Sequence, residues 1–198
     1  MLNKLVTLKE TPSQTGGPYV HIGLTPNFAE IHGTFPADLG ATMVTDDTVG
    51  QRIVVTGRLL DGSGAPLFDA VVEVWQADAA GSCANPAFQG WGRQATSGEG
   101  MFRFETIKPG RVAGPDGKPM APHLTLWIVA RGINIGLHTR LYFADEAEAN
   151  AGDFVLNRIM DVRRRKTLIA SRSEDGGVPR YNLDIILQGD GETVFFDI

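Results

Sequence analysis

Four histidines, His21, His32, His123 and His138, are the first candidates for metal chemistry in this chain. None stands two or four residues from another, the spacings that place two imidazoles on one face of a strand or helix. The stretch APHLTL (121–126) comes nearest. On a strand His123 and Thr125 share a face, so a histidine at 125 would complete a metal-binding pair; a threonine stands there instead. From these residues alone His123 reads as a hydrogen-bonded core or pocket histidine, with metal ligation as the alternative. The single cysteine, Cys83 in AGSCANP, has no basic neighbour in sequence to activate its thiol. No GxSxG, HExxH, CxxC or EF-hand pattern occurs, and no helix follows GDGETV as a dinucleotide fingerprint would require.

Two further places offer recognition chemistry. Arg131 ends the run HLTLWIVAR (123–131), and its guanidinium is a planar fork of donors that fits a carboxylate. It reads either as a surface salt bridge or as such a contact. In GGPYVHIGL (16–24), Gly16 and Gly17 allow close backbone approach, Pro18 fixes a bend and Tyr19 offers a ring and a hydroxyl. This segment reads as an ordered arm or as a loop lining a site.

The elements that must position these groups are strands. The 24 glycines and 11 prolines cut the chain into short apolar runs, an all-β pattern. Strands are expected over 52–60, 70–77, 100–107, 123–131, 138–143, 181–188 and 192–196. Phe102 and Phe104 alternate with Arg103 and Glu105, giving a core face and a wet face. Along 123–131, Leu124, Leu126, Ile128 and Ala130 form a core face. His123, Thr125, Trp127, Val129 and Arg131 form a mixed face suited to a pocket, a subunit contact or a second sheet. DGSGAP (61–66) is a turn in which Gly62 and Gly64 can take positive φ and Pro66 presets the return. A helix is expected over 144–151, stopped by Gly152, with one or two short helices within 154–170. Residues 1–50 lack periodicity and read as an extended N-terminal arm lying on something, often a partner subunit. Residues 51–198 read as one β-sandwich of mostly antiparallel strands with a short helical insertion.

A net charge of −5 excludes general affinity for nucleic acid or acidic membrane. The basic run Arg163-Arg164-Arg165-Lys166 reads as a solvated helix face or a subunit contact. One cysteine permits no intrachain disulfide, and neither a leader-like N-terminus nor a membrane span of about 20 apolar residues is evident, so a cytoplasmic location is expected.

Long blocks resemble the intradiol ring-cleaving dioxygenases: ETPSQTGGPYVHIGL (10–24), EVWQADAAG (73–81), FETIKPG (104–110), APHLTL (121–126), ARGINIGLHTRLYFADEAEANA (130–151) and GETVFFDI (191–198). EVWQA and TIKPG are family-wide; SQTGGPYVHIGL and RGINIGLHTRLYF resemble the alpha-chain branch of the protocatechuate-cleaving enzymes. The resemblance implies a β-sandwich and a reaction that converts protocatechuate and O₂ to 3-carboxy-cis,cis-muconate. Catalytic chains of the family hold Fe(3+) with two tyrosines and two histidines. Here the first tyrosine position falls at Cys83 or its neighbour and the second at Arg111-Val112. The His-x-His pair reads His123-Leu124-Thr125, and Tyr19, Tyr142 and Tyr181 match neither tyrosine position. The resemblance therefore implies that His123 is a vestige and that this chain binds no metal. The Fe(3+) would belong to a beta-chain partner, and this chain alone would be inactive. It further implies that Thr15, Gly17, Pro18 and Tyr19 line the shared substrate pocket and that Arg131 meets the substrate carboxylate. Two other readings stand beside it: a non-catalytic homo-oligomeric module binding an aromatic acid, and a self-sufficient dioxygenase with altered ligands.

Overall fold

The computed structural model describes residues 14–197, apart from the side chain of Asp175. Residues 1–13 of the expected arm, and Ile198, lie outside the described residues. The strands are β1 (Arg52–Leu60), β2 (Val71–Trp75), β3 (Trp91–Ala95), β4 (Met101–Ile107), β5 (His123–Val129), β6 (Leu137–Phe143), β7 (Ile169–Asp175), β8 (Val178–Asn182) and β9 (Ile185–Ile186). They run in the order β3-β2-β5-β6-β7-β8-β1-β4, with β9 added beside β1. Two layers result, β3-β2-β5-β6 and β7-β8-β1-β4, joined only where β6 and β7 pair through Tyr142–Ile169 and Phe143–Ala170. This is the expected all-β sandwich. Five of the eight strand pairings among the described residues are antiparallel.

Period-two alternation builds the core. Val55 and Leu59 of β1, Phe102 and Phe104 of β4, Val72 and Val74 of β2, and Leu124, Leu126 and Ile128 of β5 are buried in one cluster between the layers. Each such side chain contributes roughly 1.5–3 kcal/mol of transfer free energy. A one-residue slip would turn every one of them to water, so the register is firmly set.

β1 spans the expected residues, and β4, β5 and β6 lie within two positions of theirs. The expected strand 181–188 divides, because Leu183 and Asp184 separate β8 from β9 and Asp184 Oδ1 accepts from Arg58 N. Segment 192–196 is no strand; it lies along β6 and bridges once, Phe196 to His138. Neither β3 nor β7 was expected, since WGRQA and IASRSED carry too few apolar residues to show an alternation. In the 61–66 turn only Gly64 takes a positive φ, at 82°, while the Asp61 carboxylate accepts from the Ser63 and Ala65 amides.

The helical insertion comprises α2 (Ala147–Ala151), α3 (Phe154–Arg158) and α4 (Val162–Arg165), followed by a 3₁₀ turn at Lys166–Leu168. To keep the order of the chain, the short helix Val20–Leu24 is α1. It corrects the expectation of a wholly extended arm: the Tyr19 carbonyl accepts from the Ile22 and Gly23 amides and closes a turn. Residues 14–50 contain no strand, yet they reach the main core at buried Met43. Asp153 ties the insertion to the site-bearing sheet. Fully buried, it caps α3 through the Val155 and Leu156 amides and accepts from Ala121 N at 2.9 Å and from Tyr142 Oη at 3.1 Å. That fixes the start of β5 two residues before His123.

Candidate functional site

Pairing register places the site's side chains on the outer face of the β3-β2-β5-β6 layer. Trp91, Trp75, Thr125 and Arg140 form one row across it; Arg93, Glu73, Trp127 and His138 form the next. Glu73 is the anchor. Buried, it accepts from Trp75 Nε1 and Trp91 Nε1 at 3.2 Å each, and from Arg93 Nε and Nη2 at 2.8 and 2.6 Å. The Arg93 guanidinium also stacks 5.0 Å over the Trp91 ring. A buried carboxylate is tolerated because each oxygen has two donors, and the result is a preorganised aromatic platform.

At the His123 end a cavity of roughly 450 Å³ is lined by Trp75, Cys83, Trp91, Val112, His123 and Thr125, among others. The four positions that the sequence set apart as 83, 112, 123 and 125 therefore meet in space. His123 Nδ1 lies 2.8 Å from the Ala121 carbonyl. Burial, and then the charge of Arg140, lower its pKa, so the ring is neutral near pH 7. Beside it stands Tyr142, whose phenol is pushed up by burial and donates to Asp153. At those four positions the donors are one imidazole, one thiol and one hydroxyl. Among the described residues no group of three or more His, Cys, Asp or Glu gathers that could hold a metal ion. A hard ferric ion calls for anionic oxygen ligands, and this donor set does not fit it.

Arg131 stands two residues past the other end of β5, a strand about 20 Å long at a rise of ~3.3 Å per residue. Its Nε sits 2.7 Å from Oδ2 of buried Asp69, and its guanidinium lies 4.8 Å over the Phe68 ring. The Nε–H does not point along that contact, so the pair is ionic and the Asp69 oxygens accept no hydrogen bond among the described residues. The salt-bridge reading of Arg131 is thus correct as far as it goes, but it occupies only the Nε edge. The two Nη groups have no hydrogen bond among the described residues, and the side chain is 45 % exposed.

Thr15 and Gly17 join Arg131 through Gly132. Thr15 Oγ1 accepts from Gly132 N at 3.0 Å and from Gly17 N at 3.3 Å. Gly17 has φ of 70°, a conformation that favours glycine, and a Cβ on Gly16 would come within 2.9 Å of Val129 Cγ1. Pro18 and Tyr19 stay exposed, Tyr19 at 75 %, so this chain by itself does not close a pocket around them. Sequence reasoning missed Phe68, Asp69 and Glu73. A usable signal was present: acidic residues inside the otherwise apolar run FDAVVEVW, where burial demands a cationic partner.

A family model described as Dioxygenase matches residues 24–189. The chain is 48 % identical over 196 residues to the protocatechuate 3,4-dioxygenase alpha chain of Pseudomonas putida, covering 96 % of this chain and 97 % of that one. It is 35 % identical over 181 residues to the protocatechuate 3,4-dioxygenase beta chain of Burkholderia cepacia, covering 81 % of this chain and 75 % of that one. Among solved structures, it is similar to the dioxygenase domain of a dioxygenase carbohydrate-binding protein fusion from Streptomyces sp. SirexAA-E. The TM-score is 0.61 at 26 % identity, over 78 % of this chain and 88 % of that one. With the sandwich, the arm beside Arg131 and the cavity at His123 all in place, the match extends over nearly the whole chain, and the chain belongs to the intradiol ring-cleavage dioxygenase family.

Proposed function

We propose that this chain is the iron-free alpha subunit of a protocatechuate 3,4-dioxygenase and shapes the substrate pocket of an iron-bearing beta subunit in the cytoplasm. The reaction is intradiol cleavage of protocatechuate by O₂ to 3-carboxy-cis,cis-muconate. One observation carries the reading. The recognition groups at Thr15–Gly17 and Arg131 lie past the far end of β5, whose length from His123 to Val129 is about 20 Å, so they serve a ligand that the His123 cavity cannot present. Relatives named as separate alpha and beta chains supply the kind of partner that would present it. Iron is typical of the family. The donors at 83, 123 and 125 do not fit it, and no step of the reaction runs through a metal held here.

What this chain contributes is a fixed charge and a wall. Asp69 and Phe68 hold the guanidinium plane of Arg131 and leave its Nη edge for the ring carboxylate of protocatechuate, a group that catechol lacks. Preorganisation by Asp69 spares the ordering cost of a free arginine. Gly17, Pro18 and Tyr19, within an arm proposed to span residues 1–50, form the wall. A charge-assisted contact of this kind discriminates protocatechuate from catechol by roughly 2–4 kcal/mol.

Replacing Arg131 alone strands the buried Asp69 carboxylate, so the informative variant is Arg131→Gln with Asp69→Asn, assembled with the beta chain. The kcat/KM for protocatechuate is expected to fall by about 30-fold or more while that for catechol changes little. An equal loss for both substrates would remove the carboxylate role.

A further inference from the structure

A cleft of roughly 650 Å³ opens between the outer face of β6, the helices α3 and α4, and segment 194–197. Its lining includes His138, Arg140, Phe154, Arg158, Arg164 and Phe196. Nothing in the reading above uses it. The volume suits a single aromatic ring with substituents.

Charge balance in the cleft is lopsided. Arg164 is paired with Glu192 at 3.0 Å. Arg140 instead donates weakly to Tyr142 Oη at 3.3 Å and to Met120 Sδ at 3.5 Å. Arg158 lies over the Phe154 ring at 5.2 Å. Neither Arg140 nor Arg158 has a carboxylate partner among the described residues, and the one acidic residue in the lining is exposed Asp197. In a chain of net charge −5, two guanidiniums facing one cavity without such partners mark a place prepared for an anion. His138 adds its ring to the lining, with Nδ1 buried away from the open cleft. Besides Thr125, Thr139 and Asp197 the rest of the wall is apolar: Phe154, Phe196 and their aliphatic neighbours favour a ring beside the charge.

We propose that this cleft binds a small aromatic carboxylate, its anionic end held by Arg140 and Arg158 and its ring between Phe154 and Phe196. The site stands whether or not Arg131 has the role assigned to it above.

Benzoate is the probe, benzyl alcohol its uncharged counterpart, and the protein is the assembled complex. Calorimetry is performed in an Arg131→Gln background that also carries Asp69→Asn, so that any carboxylate held by Arg131 is removed first and Asp69 is not stranded. Benzoate is expected still to bind, and benzyl alcohol to bind at least about tenfold more weakly. Adding Arg158→Gln or Arg140→Gln should weaken benzoate at least about tenfold, with circular dichroism and thermal midpoint showing that the fold is retained. Loss of all benzoate binding in that background, as when a partner's acidic side chain fills the cleft, overturns the proposal. So does benzoate binding that ignores both arginine replacements. Failure of the Arg131 reading registers separately, as an unchanged benzoate stoichiometry between wild type and that background.

Discussion

Deleting the Glu73 carboxylate would leave four N–H donors, from two indoles and one guanidinium, without their acceptor. Arg93 retains 17 % side-chain exposure and can recover part of its hydration. Glu73→Ala is therefore expected to cost about 3 kcal/mol, at the lower end for breaking a buried ion pair. Urea unfolding measures it; a loss under about 0.5 kcal/mol would mean that the platform holds itself together by ring packing. At this scale the sequence was uneven. His123 and Arg131 stood out because one begins a strand whose alternation is plain and the other lies just past its end. Glu73 and Asp69 were not, because their partners come from other parts of the chain: Arg93 is 20 positions from Glu73. Burial of an acid can be guessed from its apolar neighbours, but the cation that makes it tolerable cannot.

Strands and their joints carry the next two predictions. Gly57 stands in β1 just past the last residue paired with β8 and two before the first paired with β9. A Cβ there would overlap the Leu183 carbonyl oxygen and meet Phe102 Cζ at 2.6 Å. Backbone cannot step aside as a flexible side chain does, so Gly57→Ala is expected to destabilise by about 3 kcal/mol or more, read as a lower thermal midpoint. Lys108, directly after β4, reaches Asp145 Oδ2 at 2.9 Å and Glu146 Oε1 at 2.7 Å, and Tyr181 Oη donates to Asp145 at 2.9 Å. Burial works to raise the Asp145 carboxyl, but the Lys108 and Tyr181 bonds outweigh it and hold the native pKa below 3.8. A depressed carboxylate stabilises the fold well above that value and ceases to as pH falls through the native pKa. Asp145→Asn should therefore lower stability near pH 7 and flatten the acid limb of the pH–stability curve below about pH 4. The joints themselves were hard to foresee. IASRSED and WGRQA become strands through neighbours that supply backbone partners, whereas the apolar 192–196 satisfies itself by lying on β6 as coil.

For the molecule as a whole, no helix among the described residues is long and apolar enough to cross a membrane. The chain purified alone is expected to be colourless, to hold far less than one iron per chain and to leave protocatechuate unconsumed. Stoichiometric iron with turnover would favour a self-sufficient enzyme instead. Fold class was readable from turn residues and alternation, and the whole-chain likeness from long motif blocks. The proposed assembly is less legible, since a surface that awaits another chain would show only as exposed residues such as Tyr19. β5 also separates the His123 cavity from the Thr15–Gly132 contact and Arg131. Groups this far apart with no shared partner contribute independently. Substitutions around Cys83, Val112 and Thr125 can therefore accumulate without disturbing Thr15, Gly17 or Arg131, and a duplicated copy of such a chain is free to lose one end's chemistry while the other end's geometry stays intact.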